Sequence, residues 1–96
     1  MEKLFYVYIL ASTYNGTLYV GVTSNLPKRV WDHKEGTVKG FTQRYGVKML
    51  VYYEVHDRAE YAITREKQIK KWERKWKIEL IESRNPQWKD LYETLV

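Results

Sequence analysis

The 96 residues suffice for one domain and leave no room for two, and a chain of this length buries roughly 60–65% of its unfolded surface. The absence of cysteine excludes disulfides, thiolate nucleophiles and cysteine-based zinc sites, and no apolar run approaches the roughly 20 residues that cross a bilayer. The formal charge of +5 is local: residues 64–77 (TREKQIKKWERKWK) hold seven Lys or Arg against two Glu, while the rest of the chain balances to zero.

The opening residues, Met1-Glu2-Lys3, lead into a strand-like segment without the basic start, apolar stretch and small-residue cleavage site of a signal peptide, so the expected location is cytoplasmic. Residues 4–11 (LFYVYILA) and 17–23 (TLYVGVT) are rich in β-branched and aromatic side chains and flank Asn15-Gly16, a hairpin-turn signal. Alternation places Phe5, Val7 and Ile9 on one face of the first strand and Tyr6, Tyr8 and Leu10 on the other. In the second strand, Leu18, Val20 and Val22 oppose Tyr19, Gly21 and Thr23. Any loop of even length, the two-residue Asn-Gly turn included, then puts Tyr8 and Tyr19 on the same face. Gly21 shares that face, where a glycine marks close approach by a ligand or another group.

A helix follows, capped by Ser24 or Asn25, with Pro27 in its first turn and Gly36 at its end. Within it Arg29 and His33 are spaced i, i+4 and share a face. They suit a solvated surface or, near the end of the second strand, a phosphate ligand and a proton carrier. Residues 37–47 read as a basic loop, and residues 48–55 (KMLVYYEV) as a third strand. Asp57 then caps a long helix, with Glu60 in capping-box position, running to about Lys75 and continuing, bent, to Ser83.

Within that helix Glu66 faces inward. Ala59, Ala62, Ile63 and Ile69 fall within about 60° of it on a helical wheel. A carboxylate in an apolar stripe needs a partner, either a salt bridge to Arg29 or Arg65 or a bound cation such as Mg²⁺. The basic side chains Lys67, Lys70, Lys71, Arg74 and Lys75, with Trp72 among them, suit a polyanion and base stacking, or else a well-solvated helix face. Asn85-Pro86 breaks the helix, Asn85 serving as a cap or turn residue or as a ligand for phosphate or metal-bound water. Residues 87–95 form a last short helix with Trp88, Leu91 and Leu95 on one side. The order β-β-α-β-α-α predicts an α+β single domain over residues 1–96, with a three-stranded, mainly antiparallel sheet flanked by helices.

Tyr6-Val7-Tyr8 followed by Tyr19-Val20-Gly21 resembles the two signature tripeptides of the GIY-YIG nuclease superfamily, with Tyr6 where the signature has glycine. LYVGVTSNLPKRVWDH, REKQIKKW and NPQWKDL continue the resemblance, which covers nearly the whole chain and is similar to the small stand-alone bacterial GIY-YIG proteins. The resemblance implies cleavage of DNA phosphodiesters, with RNA not excluded, using one divalent ion (Mg²⁺ or Mn²⁺), in the context of DNA repair or processing. Carried over by position, Tyr8 and Tyr19 are the signature tyrosines and Gly21 the signature glycine. Arg29 is the phosphate-contacting arginine, Glu66 the metal-ligating glutamate, and His33 and Asn85 further polar site positions. Tyr19, ahead of Tyr8, is the expected proton acceptor from water, with His33 as relay. No obligate protein partner is expected. The alternative is a non-catalytic nucleic-acid-binding module on the same scaffold.

Overall fold

The computed structural model describes residues 3–95, so Met1 and Glu2, on which the reading of the N-terminus rests, lie outside the described residues. Three antiparallel strands, β1 (Phe5–Ala11), β2 (Leu18–Thr23) and β3 (Met49–His56), form one sheet in the order β2-β1-β3. Helices α1 (Leu26–Lys34) and α2 (Phe41–Tyr45) lie between β2 and β3, and α3 (Ala59–Lys71) and α4 (Arg74–Arg84) follow β3. A 3-10 turn over Leu91–Leu95 takes the place of the expected last helix. The expected α+β architecture is therefore present, with one more helix between β2 and β3 than the sequence suggested.

The two faces of the sheet carry separate cores. Val7, Ile9 and Ala11 of β1, with Val20 and Val51, pack with Ala62 and Ile69 of α3 and Ile81 of α4. Tyr8 and Leu10 of β1, with Leu50, pack with Leu26 and Val30 of α1 and with Val47. The period-2 alternation of β1 thus sorts its residues between the faces as the sequence indicates. A bulge interrupts β3: Ile9 pairs with Tyr52 but Leu10 with Leu50, leaving Val51 over. The extra residue lets Tyr52 and Leu50 serve opposite faces, although both are even-numbered.

The hairpin connection has six residues, not two, since Ala11 pairs with Leu18. Asn15 adopts the left-handed conformation (φ 54°), and Ser12 N–H donates to the Thr17 carbonyl at 3.0 Å. The loop is of even length, so the tyrosine face survives: Tyr8 opposes Gly21 and Tyr19 opposes Leu10. Arg74 secures the loop from α4, its Nη2 donating to the carbonyls of Asn15 (2.7 Å) and Gly16 (2.6 Å).

Helix boundaries follow local chemistry. Asn25 caps α1 through Oδ1, which accepts from Lys28 N–H at 3.3 Å. The residue preceding α3 is Arg58 rather than Asp57, it makes no side-chain cap, and Glu60 pairs with the Arg58 guanidinium instead of closing a capping box. The long helix is broken at Trp72 (φ −65°, ψ 151°), where the backbone is extended. Among the described residues no helix is long and apolar enough to cross a membrane.

Candidate active site

Five elements converge beside β2. Tyr8 comes from β1, Tyr19 and Gly21 from β2, Arg29 and His33 from α1, Thr42 from α2 and Glu66 from α3. The phenol of Tyr8 is directed across β2. A Cβ built on Gly21 falls 2.4 Å from the Tyr8 hydroxyl oxygen and 2.5 Å from Cζ. Gly21 is therefore required by the neighbouring phenol, because any side chain there displaces it.

The Tyr8 hydroxyl is joined to His33 Nε2 at 3.2 Å, and His33 Nδ1 to Thr42 Oγ1 at 2.9 Å. All three side chains are buried, so the line Tyr8–His33–Thr42 crosses the interior of the site. Tyr19 meets the imidazole by ring packing alone, with centroids 5.4 Å apart, and its ring lies 6.3 Å from that of Tyr8. The expected coupling of Tyr19 to His33 is thus found at Tyr8. The i, i+4 spacing of α1 works as the sequence indicated, but it turns His33 into the core rather than onto a solvated face.

Burial pushes the Tyr8 phenol up to about 12, a shift opposed by the Arg29 guanidinium and aided more weakly by Tyr19 and the Glu66 carboxylate. The Arg29 guanidinium is raised in turn, chiefly by its hydrogen bond with Tyr8 and also by Tyr19. Burial, and then repulsion from Arg29, lower His33 to about 4. At neutral pH the Tyr8 phenol and the His33 imidazole are therefore neutral beside the permanently charged Arg29.

Glu66 is nearly buried, its side chain 12% exposed, and its Oε2 lies 2.8 Å from Lys70 Nζ. Neither expected arginine is the partner. Arg65 grips Glu54 instead, with Nε 3.0 Å from Oε2. Among the described residues no three of His, Cys, Asp and Glu gather as cation ligands. One carboxylate nonetheless fits a Mg²⁺ that keeps most of its waters, provided Lys70 gives way.

The basic segment divides. Lys67, Lys71 and Lys75 are exposed, whereas Lys70 pairs with Glu66 and Arg74 holds the hairpin loop. Trp72 is half-buried against the core, with the Arg65 guanidinium 5.2 Å from its ring centre. Asn85 stands apart from the five-element cluster. Its Nδ2 donates to the carbonyls of Val51 (3.0 Å) and Lys89 (2.8 Å), and its Oδ1 accepts from Lys89 N–H at 3.0 Å. It caps the carbonyl freed by the β3 bulge, the structural alternative among the roles its sequence allows.

Two site residues escaped the sequence reading. Thr42 and Phe41 sit in the span expected to be loop, where Gly40 (φ 111°) and Gly46 (φ 64°) bracket the five residues of α2. Those two glycines are the only local signal of a turn that re-enters the site.

Residues 4–79 match the GIY-YIG catalytic domain. The chain belongs to the GIY-YIG family. A UPF0213 protein of Clostridium perfringens is 40% identical over 80 residues, which span 83% of this chain and 85% of that protein. One of Syntrophus aciditrophicus is 42% identical over 84 residues, spanning 85% and 93%. The solution NMR structure of a UPF0213 protein from Bacillus halodurans is similar at a TM-score of 0.57, with 26% identity over 91% of this chain and 92% of that one.

Proposed function

We propose that this GIY-YIG protein is a metal-dependent nuclease that hydrolyses phosphodiester bonds of DNA at the β2 edge of the sheet. The observation that carries the reading is the Tyr8–His33–Thr42 line with Arg29 against the phenol and Glu66 close enough to act on it. A structural cluster has no need of a permanently charged guanidinium beside a buried phenol and a neutral imidazole. A phosphoryl-transfer site does, because it must hold an anion and move a proton.

Arg29 holds the phosphate through its planar fork and offsets the charge that grows on the phosphorus oxygens. As Arg29 swings onto the phosphate, it uncovers the Tyr8 oxygen that it lies against. Tyr8 takes a proton from the attacking water while passing its own to His33 Nε2. A phenol near 12 is too weakly ionised to wait as phenolate, so the two transfers are coupled. For Nε2 of the neutral imidazole to accept from Tyr8, the ring proton sits on Nδ1 and donates to Thr42 Oγ1. Burial is the larger cause of the low His33 value, and an anionic phosphate on Arg29 removes part of the second, the repulsion from Arg29, so the imidazole is a stronger base with substrate than without it. Glu66 is the residue that would hold Mg²⁺ or Mn²⁺, and a bound ion supplies Lewis-acid stabilisation of the leaving oxygen. Lys67, Lys71 and Lys75 meet the phosphate backbone beyond the site.

The test is a cleavage panel of duplex, nicked, branched and single-stranded DNA, and of RNA, with and without Mg²⁺ or Mn²⁺. Metal-dependent cutting by the native protein and none by Glu66→Ala supports the reading. The non-catalytic alternative has one observation in its favour, the Lys70 ammonium already on Glu66. It predicts salt-sensitive binding without cleavage of any form.

A further inference from the structure

The α2 segment does more than carry Thr42 to His33. Its one turn directs Thr42 inward and leaves Phe41 46% and Tyr45 49% exposed. Phe41 stacks on Tyr19 at 6.4 Å with 29° between the rings, and Tyr45 packs on Phe41 at 4.9 Å. A continuous row of rings therefore runs from buried Tyr8 through Tyr19 and Phe41 to Tyr45 at the surface. In the same segment Lys39, Arg44 and Lys48 are exposed, the Arg44 guanidinium 5.6 Å from the Tyr45 ring centre. Residues 37–48 contain no acidic side chain.

Exposed aromatic rings in a segment whose only charges are positive match a nucleic-acid strand, which offers π-faces and phosphates in alternation. The positive charge suits a polyanion, and the row passes through Tyr19, beside the Arg29 that the nuclease reading assigns to a strand's phosphate. We propose that Phe41 and Tyr45 form a stacking platform for a nucleobase flanking the phosphate held by Arg29, so that the preferred substrate carries unpaired nucleotides at the cleavage position. A base inside a duplex has both faces covered by its neighbours, so the platform takes only one that has left the stack. The preference is for single-stranded, gapped or flap-bearing DNA, and stacking makes it tolerant of sequence. The inference rests on the nuclease reading for the position of the phosphate.

The test uses the full chain carrying Glu66→Ala, so that substrate stays uncut, and a short oligonucleotide with 2-aminopurine, presented single-stranded or fully paired. Fluorescence quenching is expected with the single strand and not with the duplex. Adding Phe41→Ala should weaken single-strand binding about tenfold or more, Phe41→Leu should weaken it nearly as much, and duplex binding should be unchanged. Unaltered single-strand binding by Phe41→Ala overturns the platform and leaves the nuclease reading intact. Absence of salt-sensitive binding to any nucleic acid overturns both. A change in self-association by sedimentation, with oligonucleotide binding unchanged, overturns the platform in favour of protein docking.

Discussion

The Tyr8 phenol occupies the space that a side chain on Gly21 would need, its oxygen 2.4 Å from the position of a Cβ. The pairing of strands β1 and β2 sets these residues opposite each other, and the packed core under α1 leaves the ring little freedom to retreat. Gly21 and Tyr8 are thus one steric unit.

Gly21→Ala is expected to displace Tyr8 from His33. It should cost about 1–3 kcal/mol of stability, as overpacking does. Cleavage should fall more than that loss explains, because the Tyr8–His33 hydrogen bond is broken. Denaturant unfolding together with single-turnover rates checks both; a wild-type rate would show that the phenol's position is unimportant.

His33 titrates lower in the folded chain, at about 4, than its ordinary 6.5. Between those values the unfolded chain binds the additional proton, so stability rises with pH across the window. The contribution is complete above pH 6.5 and is lost as pH falls towards 4, up to about 3 kcal/mol. Unfolding midpoints at pH 4.5 and 7.5 should show this slope in the native protein and a reduced one in His33→Gln. Equal slopes would mean that the imidazole is not held neutral.

In the proposed reaction Thr42 acts through His33, as a positioning residue. Thr42→Val keeps the shape but leaves Nδ1 buried without a partner, at a cost of about 1–3 kcal/mol. The rate should fall about tenfold or more and its pH profile should shift, while Thr42→Ser restores both. A Thr42→Val profile identical to the native one would place Thr42 outside the proton path.

Asn85 ties α4 to the β3 bulge and the C-terminal tail. Asn85→Ala removes three hydrogen bonds to backbone, one of them buried, and should cost about 1–3 kcal/mol, with little change in the rate per folded molecule. A fully stable variant that no longer cleaves would return Asn85 to the chemistry.

Much of this arrangement is legible in the residues. Alternation alone put Tyr8, Tyr19 and Gly21 on one face, and the even parity of the loop protected that conclusion from the error in its length. The inward carboxylate of Glu66 followed from helical geometry. What periodicity could not supply was contact between elements distant in sequence. Lys70 rather than Arg29 or Arg65 pairs with Glu66 because rotamers and neighbouring helices decide which cation reaches it. His33 binds Tyr8 rather than Tyr19 because α1 packs over the central strand. Arg74, a surface cation by its position in a basic run, is bound by a loop 58 residues away in sequence. Thr42 was hidden because five residues between two glycines carry too little pattern to show a helix.

In the proposed reaction the phenol joined to His33 accepts the proton of the attacking water. Single-turnover cleavage by Tyr8→Phe, measured with saturating Mg²⁺ beside the native protein and Tyr19→Phe, tests it most directly. The expected result is a rate at least about a hundredfold below native for Tyr8→Phe, a smaller loss for Tyr19→Phe, and unchanged DNA affinity for Tyr8→Phe. A native rate in Tyr8→Phe, with the loss confined to Tyr19→Phe, would contradict it.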